Sequence, residues 1–228
     1  MIINGFQKLT LLDFPGRTAA IIFTAGCDLR CPFCHNAPLV NRIRLDERID
    51  EEEVLLYLKK RQGLLDGVVI SGGEPLLQKD IEDFIRSVRS LGYAVKLDTN
   101  GSSPDKLKKL LDAGLIDYVA MDIKNAPELY PVTTGIDGLD ITPFGRSIDV
   151  IMSSGVDYEF RTTVTAELHT KESIAAAARW IVGAKRYFLQ NFKDSGDTVA
   201  KGSTPLSEQE MREMQSRAQK YVKDTAVR

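Results

Sequence analysis

The stretch Ala19-Ala20-Ile21-Ile22-Phe23, followed three residues later by Cys27-Asp28-Leu29-Arg30-Cys31-Pro32-Phe33-Cys34, decides how the rest of this chain is read. The apolar run reads as a strand, and the eight residues from Cys27 hold all 3 cysteines of the protein. A structural zinc site usually takes four protein ligands, and disulfides consume cysteines in pairs, so an isolated trio fits neither use. A 4Fe-4S cluster takes about one thiolate per iron, so three thiolates leave one iron open to a ligand that is not protein. That open position points to catalysis.

Outward from this stretch, β-rich runs recur with room for a helix between them: 18–24, 67–70, 94–97, 118–123, 158–164 and 187–192. The segments between them carry apolar residues three and four apart, as in Ile81, Phe84, Ile85 and Val88, and predict helices over 51–60, 79–91, 104–113 and 171–182. The pattern over 142–154 is the weakest of these. Strands separated by helices favour parallel pairing, and Val68–Ile70 and Val119–Ile123 are apolar enough for burial on both faces. The expected fold is therefore α/β, a partial (β/α)6 barrel of parallel strands. Ser103-Pro104 offers an N-cap and a first-turn proline, while Gly92 and Gly114 stand where helices should stop. A last helix, 207–222, opens on a capping box formed by Ser207 and Glu210 and is expected to cover an open edge or to meet a partner. The polar stretch 193–205 before it reads as a loop. No internal repeat or linker divides residues 1–228, so a single domain is expected, with its core at about 18–192 and the loop and C-terminal helix over 193–228.

With 43% hydrophobic and 27% charged residues, the chain can bury one full core. A formal charge of −2 and a pI near 5.8 disfavour a general electrostatic grip on nucleic acid or on an anionic membrane. The first residues lack the pattern of a signal peptide, and no run approaches the about 18 apolar residues of a membrane span. A cytoplasmic location is expected, where clustered cysteines more often mean metal or catalysis than disulfides.

In barrels of parallel strands, chemistry is assembled at the carboxyl ends of the strands, because the loops that follow share one face. The unusual residues of this chain obey that geometry. Ser71-Gly72-Gly73-Glu74-Pro75, Asp98-Thr99-Asn100-Gly101, Asp122 with Lys124, Arg161, and Gln190-Asn191 all fall at or near predicted strand ends. Each alone has an ordinary use: a glycine turn, a helix-start carboxylate, a capped turn, or a structural ion pair. Neither histidine, His35 or His169, is read as a metal ligand. The cysteine spacing beside a strand-end glycine pair is what sets the group apart.

With Cys27, Cys31 and Cys34 in this spacing and Gly72-Gly73-Glu74-Pro75 after the next strand, the chain resembles the radical S-adenosylmethionine enzymes. Phe14-Pro15-Gly16, Cys34-His35-Asn36, Leu97-Asp98-Thr99-Asn100-Gly101 and Asp122-Ile123-Lys124 resemble the glycyl-radical-enzyme activases. The opening Gly5–Gly16 is most similar to anaerobic ribonucleoside-triphosphate reductase activating proteins. Asp28 stands where that family often has asparagine.

The resemblance implies a 4Fe-4S cluster on the three cysteines and S-adenosyl-L-methionine on its open iron. Reductive cleavage would give methionine and a 5′-deoxyadenosyl radical, which takes the α-hydrogen of one glycine in a large partner. It further implies that Gly72, Gly73 and Glu74 meet the amino end of the cofactor through backbone carbonyls and the carboxylate. Phe33 would lie beside the adenine, Lys124 on the methionine carboxylate, Asp98, Asn100 and Asp122 near that end, and Arg161 on the carboxylate or ribose. Two carboxylates so placed would repel, so a monovalent cation held by Asp98, Thr99 and Asp122 is expected. The implied partners are a glycyl radical enzyme, anaerobic ribonucleotide reductase first, and a flavodoxin or ferredoxin-type electron donor. Two other readings stay open on the residues alone: the same radical chemistry directed at a small molecule or an RNA nucleoside, and a non-catalytic iron–sulfur carrier that would not need the glycine-glutamate segment.

Overall fold

The computed structural model describes residues 1–41, 45–194 and 196–228. Eight strands form one sheet in sequence order: β1 Ile3–Thr10, β2 Ala19–Thr24, β3 Gly67–Gly72, β4 Ala94–Thr99, β5 Tyr118–Asp122, β6 Asp157–Val164, β7 Tyr187–Asn191 and β8 Thr225–Val227. From β2 to β8 every neighbouring pair is parallel, whereas β1 runs antiparallel to β2 with Thr10 opposite Ala19. β8 and β1 are the two edges, so the sheet curls without closing. The six expected strands are all present and are flanked by two more. β1 is half polar on its exposed side and has an irregular register. β8 is only 3 residues long, too short to show a period.

The helices are α1 Ala37–Asn41, α2 Glu51–Lys60, α3 Ile81–Ser90, α4 Pro104–Asp112, α5 Tyr130–Thr134, α6 Thr142–Ser153, α7 Lys171–Trp180 and α8 Glu208–Ala218. α3 buries the apolar face read from its spacing, Ile81, Phe84, Ile85 and Val88. The weakest pattern, 142–154, becomes the longest of these helices because Phe144, Ile148 and Ile151 are buried in the main core. α8 carries the expected reciprocal box between Ser207 and Glu210, but Ser103 makes no side-chain cap on α4. α8 does not stand free; Met211, Met214 and Ala218 are buried, and the chain beyond it returns to add β8 to the sheet. No helix among the described residues is long and apolar enough to cross a membrane.

Strand alternation divides the sheet into two faces. Outward residues such as Ile22, Ile70, Leu97, Met121 and Phe160 join the core beneath the helices. Inward, Ala19, Ile21, Val69, Ala94, Tyr118 and Ala120 pack around Phe14, which comes from the β1–β2 connection at the amino ends of the strands. Toward the carboxyl ends the inner positions turn polar, and there the sheet holds a cavity.

Candidate active site

The cavity measures about 380 Å³, within the roughly 300–1,000 Å³ of small-molecule sites. Cys27, Cys31, Phe33, Cys34, His35 and Asn36 form one wall, and the backbone-rich segment Ser71–Gly73 forms the next. The ends of β4, β5, β6 and β7 contribute Asp98, Thr99, Asn100, Asp122, Lys124, Arg161, Thr163 and Gln190, and Asp13 reaches it from the β1–β2 connection. Every residue assigned from the sequence to the cluster, the cofactor or the cation lines this one cavity, except Glu74.

The glycines of the β3 exit serve close packing. Gly72 has φ +122°, and a Cβ there would collide with the backbone of Thr24; a Cβ on Gly73 would strike the carbonyl of Gly26, at the root of the cysteine loop. The two strand exits therefore touch backbone to backbone, tied by Gly73 N–H to Thr24 O at 2.9 Å and Glu74 N–H to Gly26 O at 2.7 Å. From the far end of the cysteine loop, Asn36 Nδ2 donates to Gly72 O at 2.8 Å. Asn36 is a site residue that the sequence reading quoted without giving it a role.

Glu74 is fully buried. Its carboxylate accepts from Leu76 N–H at 3.0 Å, Thr99 Oγ1 at 2.8 Å and Asn100 N–H at 2.6 Å. Burial drives its pKa up to about 7 against these donors. Instead of facing the cavity, the side chain pins the end of β4 to the β3 exit, and the backbone around it is what the cavity receives.

Across the floor runs an alternation of charge. Lys96, only 1% exposed, pairs with Asp98. Asp98 accepts from Arg161 Nη1 at 3.2 Å, Arg161 Nε reaches Asp122 at 3.0 Å, and Asp122 meets Lys124 Nζ at 2.9 Å. Burial would raise the Asp122 carboxyl, but Lys124 and Arg161 outweigh it and hold it at about 2. Desolvation acts to lower both basic groups, and the facing carboxylates reverse this and raise them.

Asp98 and Asp122, expected to repel one another and to share a monovalent cation with Thr99, are bridged by the Arg161 guanidinium. The Thr99 hydroxyl donates to Glu74 at 2.8 Å and accepts from Gly101 N–H at 3.1 Å.

Both histidines are engaged by neighbouring protein groups. His169 is buried and accepts from Thr165 N–H at Nδ1, 3.1 Å, so that Nε2 carries the proton and donates to Lys124 O at 2.9 Å. Burial lowers its pKa, and a neutral ring suits this role of fixing the backbone of Lys124. His35 stacks on Phe192 with ring centroids 5.1 Å apart. Asn191, beside the cavity residue Gln190, turns away and grips both backbone groups of Leu206, at 2.8 and 3.0 Å.

The three thiols share a wall, yet among the described residues no three His, Cys, Asp or Glu side chains already stand in metal-binding geometry. Desolvation is the main cause that pushes Cys27 up to about 12 and Cys31 up to about 11, so both are protonated thiols at neutral pH. Metal is needed to draw their protons off. Three soft donors on one side and a polar cavity with exposed backbone on the other fit a cluster with one open iron and a small zwitterionic ligand.

Comparison with known proteins agrees with this chemistry. A family model described as the Radical SAM superfamily matches residues 21–181. The chain is 32% identical over 233 residues to a Methanocaldococcus jannaschii protein named as a glycyl-radical enzyme activating enzyme, with 100% of this chain and 95% of that one covered. It is 30% identical over 186 residues to the pyruvate formate-lyase-activating enzyme of Clostridium pasteurianum, covering 78% and 75% of the two chains. The crystal structure of Streptococcus suis SuiB bound to S-adenosylmethionine has the same fold, with a TM-score of 0.66 at 18% identity over 91% of this chain and 51% of that one. A match across most of the barrel and a relative aligned along the whole chain leave one conclusion: this protein belongs to the radical SAM superfamily, as an oxidoreductase whose cofactors are a 4Fe-4S cluster and S-adenosyl-L-methionine.

Proposed function

We propose that this enzyme activates a glycyl radical enzyme, with anaerobic ribonucleoside-triphosphate reductase as its target. The observation that carries the reading is the end-to-end match to a protein named as a glycyl-radical enzyme activating enzyme, in which neither chain has a large segment left over. When bound, the cluster and S-adenosylmethionine supply an electron and a 5′-deoxyadenosyl radical that takes a hydrogen atom.

The protein's own part is to bind, orient and keep water out. In this reading Cys27, Cys31 and Cys34 hold the cluster, and the backbone of Gly72 and Gly73 receives the amino end of the cofactor. Phe33, buried at the cavity wall, offers a face for the adenine. Lys96, Arg161 and Lys124 set three positive charges against the two of Asp98 and Asp122. The one left over suits the methionine carboxylate, with Lys124 nearest the thiols. Asn100 acts from the same wall on the cysteine loop. A flavodoxin or ferredoxin-type donor and a cytoplasmic setting complete the reading.

The test is anaerobic: protein with reconstituted cluster, a reductant, S-adenosylmethionine and the candidate reductase are mixed and followed by electron paramagnetic resonance. A glycyl-radical doublet is the expected result. Its absence, in samples that do form 5′-deoxyadenosine, would overturn the reductase as the target while preserving the radical chemistry.

A further inference from the structure

Asp28 is the one residue of the cysteine loop whose charge the fold does not require. Its side chain is exposed, and among the described residues it makes no ion pair. Even so, Oδ1 is held in place: it accepts from Asn100 Nδ2 at 2.8 Å and lies 3.8 Å from Cys27 Sγ.

Asn100 cannot swing away. It is buried, its backbone N–H is given to Glu74, and its Oδ1 accepts from Ser102 N–H at 2.8 Å. These partners leave Nδ2 directed at Asp28, and also at Cys27 Sγ at 3.8 Å. The amide orientation is therefore set from both ends. The neighbouring cation is aimed elsewhere, with Arg30 Nη1 donating to the carbonyls of Cys27, at 2.6 Å, and Leu29, at 2.8 Å. An asparagine at position 28 would accept the same bond from Asn100, so the bond does not explain the charge.

We infer that Asp28 and Asn100 form a clasp that holds the cysteine loop on the end of β4, and that the Asp28 carboxylate beside Cys27 lowers the reduction potential of the cluster. The inference rests on the reading that the three cysteines bind that cluster. Cluster potentials follow net charge and the hydrogen bonds to the sulfurs, and a fixed negative charge next to a thiolate ligand opposes the entry of an electron. The resting cluster becomes harder to reduce and, once reduced, a stronger donor. Asn100 holds the carboxylate at this distance from Cys27 Sγ instead of letting it rotate away from the loop.

Two variants separate the parts. Asp28→Asn keeps size and hydrogen bond and removes the charge. In anaerobically reconstituted protein its cluster, titrated by electron paramagnetic resonance, is expected at a less negative potential than wild type with unchanged iron and sulfide content. Asn100→Ala opens the clasp and is expected to release iron to a chelator several-fold faster. An Asp28→Asn potential equal to that of wild type would overturn the role of the charge, and an unchanged release rate in Asn100→Ala would overturn the clasp. Wild-type protein that takes up no cluster would instead overturn the cysteine reading beneath both.

Discussion

Arg161 shows what one side chain contributes that its position in the sequence does not reveal. The reading placed it near the cofactor; the structure makes it the link between the carboxylates at the ends of β4 and β5. Removing one partner of a partly buried ion pair costs more than the pair itself is worth, because the remaining charge stays partly desolvated. Arg161→Ala leaves Asp98 and Asp122 opposed, each with only its lysine, and is expected to lower stability by about 1–2 kcal/mol, measured by urea unfolding. Arg161→Lys is expected to recover less than half of that loss, since an ammonium lacks the fork that reaches two carboxylates from one group. Glu74 makes a second prediction, of opposite sign to the usual carboxylate. Its folded pKa, about 7, lies above the unfolded value near 4.3, so the native state keeps a proton that the unfolded chain gives up. Stability therefore falls as pH rises from about 4 to about 7, by up to about 3 kcal/mol, and is level above that range. Unfolding curves for the cluster-free protein from pH 5 to pH 8 should show this decline, and Glu74→Gln should flatten it. Equal slopes in the two proteins would mean that the buried carboxylate is ionised throughout.

Among the elements, the contact between the β2 and β3 exits governs the site. A glycine pair after a strand reads in sequence as an easy turn or as a place where a ligand approaches the backbone. The structure adds a nearer cause, because the cysteine loop leaves β2 at the same height and its backbone occupies the space a side chain would need. Gly73→Ala would force the two exits apart. Overpacking of this kind costs about 2–3 kcal/mol, and the variant should also lose cluster uptake, read as iron and sulfide per chain after reconstitution. Full uptake by Gly73→Ala would show that the loop can yield. The helices were legible for a plainer reason, since residues such as Phe84 and Val88 repeat on one face and meet the sheet there. Asn36 and His169 were not legible as site residues. One reaches a strand exit 36 residues away and the other a carbonyl 45 residues away, and local spacing records neither distance.

For the molecule as a whole, the open side of the barrel is handled by its two outer strands. β1 folds back on β2 as a hairpin, and the chain after α8 returns to place β8 beside β7. Arg228 then packs its guanidinium over the Phe188 ring, 3.4 Å from the centroid, and pairs with the buried Glu159. α8 is accordingly part of the core, with Met214 only 2% exposed. Met214→Ala is expected to cost about 2–4 kcal/mol by urea unfolding, and a loss under about 0.5 kcal/mol would mean that α8 is an appendage.

The sequence by itself determined the class of fold, the strand that precedes the cysteines, the glycine segment after the next strand, and the chemistry these imply. Those signals are local: hydrophobic period, ligand spacing, and charged residues at strand ends. Only the tertiary structure decided which of the gathered residues face the cavity and which hold it together. The sheet brings Glu74, Asp98, Asp122 and Arg161 from one loop and three strands to one end, and their hydrogen bonds and burial then assign the roles. That is why Glu74 turned out to be a buried brace, Arg161 became the bridge between Asp98 and Asp122, and Asp28 gained a fixed position beside the first cysteine.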